Sequence, residues 1–238
     1  MIIYFRACEK QETISYVDRY NYTKKSILLR KCWLSLQKSG VSSEDKIIVI
    51  YDEVSEETLQ FIRDTTKTKD LTFIPVLKHE WAYHLHTVVL INTLREYSIK
   101  YPDELHYIVE DDYLHFPTAI SCIKADLLDF PYFAVPYDYP DRYTENIPVQ
   151  IRLGRTRHWR TITSSTMTVL AKGNTWMQVI DALAIAAPTS NDKVFEEIYK
   201  QIPCISPIPG LSSHMTRHHQ TPLIDWDALY EDLNIEDY

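Results

Sequence analysis

Apolar and polar residues come in blocks along the first half of the chain. Ile2–Phe5, Ile47–Tyr51, the segment LTFIPVL from Leu71 and the segment LHYIV from Leu105 are short, unbroken apolar runs. Runs of this length between polar turns predict strands buried on both faces. Between them the spacing becomes helical. Leu28, Cys32 and Leu36, with Leu29 and Trp33 beside them, predict a helix over 22–38 that Gly40 ends. Ser55, followed by Glu56 and Glu57, caps a second helix running through Ile62. Trp81, Leu85 and Val88 share one face of a third helix. Pro117 opens a fourth, with Ile120, Ile123 and Leu127 inward. Strands separated by helices predict an α/β fold with a mostly parallel sheet and helices on both faces.

The second half is less regular. FPYFAVPYDYPDRY reads as a strand that breaks into a loop rich in Pro and Tyr, and QIRLGRTRHWRTITSSTMTVL as a β hairpin dominated by Thr, Ile and Val. Helices follow around 176–183 and 194–199. The segment PIPGLSSHMTRHHQTPLIDW reads as a loop carrying a histidine cluster. No repeat, low-complexity stretch or linker interrupts the chain, so one domain is expected over 1–238.

In open α/β sheets ligands sit beyond the C-terminal strand ends. Asp52 falls at that edge, and so does the triplet Glu110, Asp111, Asp112 that directly follows the strand residues YIV. The triplet is either a solvated strand end or a site for a hard divalent cation, Mg²⁺ or Mn²⁺, which takes oxygen ligands. Arg6 and Lys10, just after the first strand, lie at the same edge and are candidates for nucleotide contact. The segment RLGRTRHWR places Arg152, Arg155, Arg157 and Arg160 around His158 and Trp159. Arginines bind phosphate bidentately and aromatics stack on bases, so Arg155, Arg157, His158, Trp159 and Arg160 are candidate acceptor-binding residues. The bland alternative is a solubilising hairpin. In a continuous strand Arg155 and Arg157 share one face and His158 and Arg160 the other, so one set faces the site.

Composition narrows the classes. A formal charge of −8 argues against a protein that coats nucleic acid through a broad basic surface. Only four glycines are present, and none forms the phosphate loop of kinases and ATPases. The four cysteines are scattered without a Cys-x-x-Cys pair, which fits a reduced chain and gives no metal spacing. No apolar run approaches the ~18 residues of a membrane span, and MIIYFRACEK is charged too early for a signal peptide. A cytoplasmic protein is expected.

The order strand–acid (IIVIYDE), strand–helix, strand–acids (YIVEDDY) resembles the nucleotide-sugar glycosyltransferases of the GT-A fold. VEDDYLH, YDYPDRY, HWRTITSSTMTV and PIPGLSSHMTRHHQTPLIDW, in that order, resemble small GT-A-like glycosyltransferases of bacteria and their phages, over most of the chain. The resemblance implies a GT-A-like fold with a nucleotide-sugar half (1–116) and an irregular acceptor half (117–238). It implies a nucleotide diphosphate-sugar donor, taken as a UDP-sugar, and Mn²⁺ or Mg²⁺. Asp52 would contact the nucleoside, Glu110 and Asp111 the nucleotide side, and Asp112 with His214 the metal. Asp192 matches the family's acid in its region and would be the general base, although Ser190, Asn191 and Asp192 are equally good helix caps. Asp138 and Asp141 are alternative bases. Tyr139 stands where relatives lead one to expect a histidine, which puts a role for that position in doubt. The Arg-rich aromatic segment favours a hydroxymethylated pyrimidine in phage DNA as acceptor, in the host cytoplasm if the gene is a phage's. The rival acceptor is a surface polysaccharide. A non-catalytic nucleotide- or sugar-binding module is the rival from another class, and a metal-dependent phosphohydrolase ranks lower.

Overall fold

The structure is a computed structural model that describes residues 1–10, 24–77, 85–144, 146–216 and 218–236. Tyr22 and Trp81, assigned above to the first and third helices, lie outside these residues. The elements run β1 (Ile2–Cys8), α1 (Lys25–Lys38), β2 (Lys46–Asp52), α2 (Glu56–Thr65), β3 (Asp70–Pro75), α3 (Leu85–Lys100) and β4 (Leu105–Glu110). After these come β5 (Tyr113–His115), α4 (Ala119–Leu127), β6 (Phe133–Ala134), β7 (Ile151–Leu153), β8 (His158–Ile162) and β9 (Leu170–Lys172). The chain continues through α5 (Gly173–Met177), α6 (Ile180–Ala186), α7 (Val194–Tyr199), β10 (Cys204–Ile208), β11 (Ser212–His214) and α8 (Trp226–Glu231).

Nine strands form one sheet in the order β3-β2-β1-β4-β9-β6-β10-β8-β7. The expected parallel block is present: β3, β2, β1 and β4 are mutually parallel, while β9 and β8 run against their neighbours. The sheet order reverses between β1 and β4, because the chain steps outward from β1 to β2 and β3 and then returns to the other side. Such a switch point opens a crevice at the C-terminal strand ends. That edge carries Arg6–Cys8 on one strand and Glu110–Asp112 on the other.

Strand alternation decides which helices lie on which face. Ile3, Phe5, Val49, Tyr107 and Val109 meet Trp33 of α1, Phe61 and Ile62 of α2 and Ile120 and Ile123 of α4. Tyr4, Ile48, Ile50 and Ile108 face the other way, onto α3, α5, α6 and α7. Each fully buried Ile, Leu or Phe here contributes about 1.5–3 kcal/mol relative to exposure. α8 packs Trp226 and Tyr230 against the outer side of α1, at Leu28 and Cys32. Helix ends follow the sequence signals. The Ser55 hydroxyl accepts the Thr58 N–H at the start of α2. Gly40, at φ +113°, follows α1, and a Cβ there would lie 2.8 Å from the Ser121 nitrogen. No described helix is long and apolar enough to cross a membrane.

One expectation is corrected. The last segment is not simply a loop: β10 extends into it as far as Ile208, β11 pairs antiparallel with β5, and Asp225 caps α8 by accepting the Ala228 N–H. Ser206, Ser212 and Ser213 are buried in these strands. Polar residues that bond internally hide the apolar signature on which strand prediction rests.

Two core histidines make stability pH-dependent. His106 Nε2–H donates to the Tyr101 carbonyl (2.9 Å), so its Nδ1 accepts the Tyr4 hydroxyl (2.8 Å). His115 shares a hydrogen bond with Tyr107 at 2.9 Å. Burial lowers the His106 pKa from 6.5 to about 4 and that of His115 to about 3. The unfolded chain therefore binds more protons than the native one between those values and 6.5. Stability is complete above pH 6.5 and is lost as pH falls through this window, by about 2 kcal/mol per histidine at pH 5. Urea titrations at pH 7 and pH 5 should show this loss, and His115→Gln should remove its own share of about 2 kcal/mol.

Candidate active site

β4 ends in Glu110, Asp111 and Asp112 form the turn, and β5 leads away. β11 pairs with β5 in the register His214↔Tyr113, and the Met215 N–H donates to the Asp112 carbonyl at 2.8 Å. This pairing sets His214 beside Asp112, Nε2 to Oδ2 at 3.3 Å. The imidazole lies flat on the Tyr113 ring, with centroids 5.0 Å apart and an interplanar angle of 7°. Tyr113 is itself held by Thr166 (2.9 Å). Burial opposes a charge on His214, but the Asp112 carboxylate outweighs it and, with Glu110, raises the pKa.

Every carboxylate of the turn has a cationic partner. Arg6 donates to Glu110 Oε1 at 3.1 Å, and the Thr168 hydroxyl donates to Oε2 at 3.3 Å. Lys25, the first residue of α1, bonds to Asp111 Oδ1, while the Cys8 N–H donates to Oδ2 at 2.7 Å. The same ammonium lies 3.8 Å from Asp112 Oδ2. Burial pushes the Glu110 pKa up, Arg6 pulls it down, and Asp112 adds to the rise. Arg6 is aimed by His86: Nε donates to His86 Nδ1 (3.2 Å), and His86 Nε2–H donates to the Ile50 carbonyl (3.1 Å). Burial, reinforced by Arg6, lowers the His86 pKa to about 3, which keeps it neutral for this task. Sequence reasoning missed Lys25 and His86. The need of three adjacent carboxylates for counter-charge was the available signal, but it does not say which lysine answers it.

The comparisons with known proteins concern shape alone. No family model and no curated protein matches the sequence. Among solved structures, the galactosyltransferase LgtC, in complex with donor and acceptor sugar analogs, aligns with 87% of this chain and 73% of its own at 13% identity and a TM-score of 0.48. Residues 1–349 of TarS from S. aureus align with 86% of this chain and 57% of their own at 10% identity, TM-score 0.47. The glycosyltransferase GlyE from Streptococcus pneumoniae aligns with 86% of this chain and 44% of its own at 11% identity, TM-score 0.48.

The remaining candidates divide. Asp52 stands at the end of β2 in register with Cys8, half-exposed at the active edge. Lys10 pairs with Glu53 at 3.3 Å and is exposed. The basic segment does not converge as one patch. Arg155 and Arg157 lie in the turn between β7 and β8 rather than in a strand, so the shared-face expectation does not hold for them. Arg155 is exposed. Arg157 donates to the carbonyls of Pro209 (2.8 Å) and Gly210 (3.4 Å) and covers the Phe116 ring. His158 is exposed, whereas Trp159 is 1% exposed and donates its indole N–H to Asp126 at 2.8 Å. Arg160 is buried on Asp138. β8 is an interior strand, flanked by β10 and β7, and its Trp159 and Arg160 side chains face inward.

Asp192 is exposed on the turn before α7. Its side chain does not cap α7 and bonds to none of the described residues of the acid turn. Asp138 is fully buried, held by Arg160 and the Tyr143 hydroxyl, and so lies beyond reach of an acceptor. Asp141 sits on the 3-10 turn Pro140–Tyr143. Tyr139 packs on Tyr137 with centroids 4.2 Å apart, and burial pushes its pKa up to about 12. Among the described residues, no three or more His, Cys, Asp or Glu side chains gather into a metal cluster. Asp112 and His214 form a pair.

Proposed function

We propose that this chain is a metal-dependent glycosyltransferase of GT-A type that moves a sugar from a nucleotide diphosphate-sugar to an acceptor hydroxyl. The observation that carries this reading is the meeting of Asp112 and His214, from opposite halves of the chain, at the switch point of the sheet. A carboxylate and an imidazole suit Mn²⁺, and a pair of protein donors suits a cation whose other ligands are diphosphate oxygens and water. When bound, that cation neutralises charge on the departing nucleoside diphosphate.

The chain's own groups take the remaining roles. Asp52 holds the nucleoside, with Arg6 and Lys10 at the phosphates. Glu110 and Asp111, fixed by Arg6 and Lys25, bound the pocket on the nucleotide side. Asp192, exposed and not spent on capping, is the proposed base. A hydroxymethylated pyrimidine in DNA as acceptor is supported by the exposed Arg155 and His158 in an otherwise acidic protein. A saccharide acceptor is supported by the burial of Trp159 and Arg160, which leaves only a short basic edge.

A panel of nucleotide sugars, incubated with Mn²⁺ or Mg²⁺ and read by mass spectrometry for nucleoside diphosphate release, tests the reading. One donor should turn over, and chelation should stop it. Donor binding without turnover under every acceptor would make the chain a binding module instead. Adding hydroxymethylcytosine DNA, unmodified DNA and oligosaccharides in parallel separates the acceptors.

A further inference from the structure

Lys25 occupies an unusual place. It opens a 14-residue helix, yet it is 7% exposed, and its ammonium sits between two carboxylates of the acid turn. With Lys25 on Oδ1 and the Cys8 N–H on Oδ2, both oxygens of Asp111 are engaged. Arg6 and Thr168 engage both oxygens of Glu110 in the same way. Asp112 is the carboxylate of the turn that faces His214, and the Lys25 ammonium stands 3.8 Å from the very oxygen that does so.

We propose that Lys25 is a specificity-determining residue that bars a divalent cation arriving alone and makes metal and nucleoside diphosphate enter together. This inference rests on the reading of Asp112 and His214 as the metal pair. The charges explain the effect. Among the described residues, Arg6 and Lys25 already offset two of the three carboxylates of the turn, so a bare dication gains little there. It also meets a fixed ammonium at contact range in a partly dry crevice, where repulsion is weakly screened. A diphosphate adds at least two negative charges beside both cations, and the repulsion between Lys25 and the metal becomes a shared attraction to phosphate oxygens. Metal and nucleotide therefore raise each other's affinity by the same factor.

The test measures Mn²⁺ affinity by calorimetry and by Mn²⁺ paramagnetic resonance, without nucleotide and with UDP, GDP or ADP. In the wild-type chain one diphosphate should tighten Mn²⁺ binding by about 100-fold, within the range of measured site-to-site couplings. Lys25→Met should tighten nucleotide-free Mn²⁺ binding about 10-fold and reduce the coupling by a similar factor. Lys25→Arg, which keeps the charge, should preserve the wild-type pattern. A residue that merely held the fold would, when replaced, weaken metal binding rather than strengthen it. Lys25→Gln serves the same purpose if the Met variant does not fold. Unchanged or weaker nucleotide-free affinity in the neutral variants overturns the proposal, as does wild-type binding of Mn²⁺ alone as tight as with nucleotide. Asp112→Asn separates the two ideas. If it leaves Mn²⁺ binding intact, the metal-pair reading fails, whatever Lys25 does.

Discussion

Asp112→Asn is expected to lower sugar transfer and metal-dependent donor hydrolysis by more than about 100-fold, since even groups that only orient a metal's ligands are worth 10- to 100-fold. Asparagine keeps the size and one acceptor oxygen of the side chain but removes the charge that draws the cation and holds the His214 ring beside it. Folding should be little affected, because the change relieves repulsion between neighbouring carboxylates and leaves Lys25 on Asp111. Glu110→Gln should cost less activity than Asp112→Asn, because Glu110 is engaged by Arg6 and Thr168 and faces the nucleotide side. Mass-spectrometric turnover assays across Mn²⁺ concentrations check both variants. Full activity in Asp112→Asn would sink the metal reading.

The second large effect is on stability. Arg160→Leu leaves the fully buried Asp138 carboxylate without its ion pair, and breaking such a pair from one side costs about 3–5 kcal/mol. Burial already pushes the Asp138 pKa up, against the pull of the Tyr143 hydroxyl and Arg160. The double variant Asp138→Leu, Arg160→Met should recover most of the loss, because a matched apolar pair avoids the desolvation penalty. Urea unfolding of both single variants and the double one closes the cycle. Arg160 also donates to the Arg142 carbonyl at 3.2 Å and lies 4.5 Å from the Tyr143 ring centroid. The pair therefore pins residues 138–143 to β8, and Tyr139, in this segment, lies close enough to Glu110 to feel its charge. A loss of stability at Arg160 should accordingly be accompanied by a loss of activity.

The first half of the fold was legible because its strands are buried on both faces. Ile47–Ile50 and Tyr107–Val109 read as apolar runs, and the first charged residue after each marks the open edge of the sheet. Two features of the second half were not legible. β10 and β11 carry buried serines whose bonds are made in the fold: Ser206 donates to the Tyr137 carbonyl (3.0 Å), and Ser213 accepts the Thr221 N–H (2.9 Å). The basic segment looked like a surface because Arg and His are usually exposed, yet strand order, which no local pattern encodes, placed Arg160 inside. The position of the acid turn followed from sequence. Its counter-charges did not, since pairing Lys25 with Asp111 is a contact across 86 residues of chain.

The β5–β11 pair has a consequence for folding. Asp112 precedes His214 by about a hundred residues, and the antiparallel register of these two short strands brings them together. A chain whose last third is undocked thus offers an acid turn paired with Arg6 and Lys25 but without His214 beside Asp112. On the proposed reading of Asp112 and His214 as a metal pair, binding of the cation would report that β5 and β11 have paired.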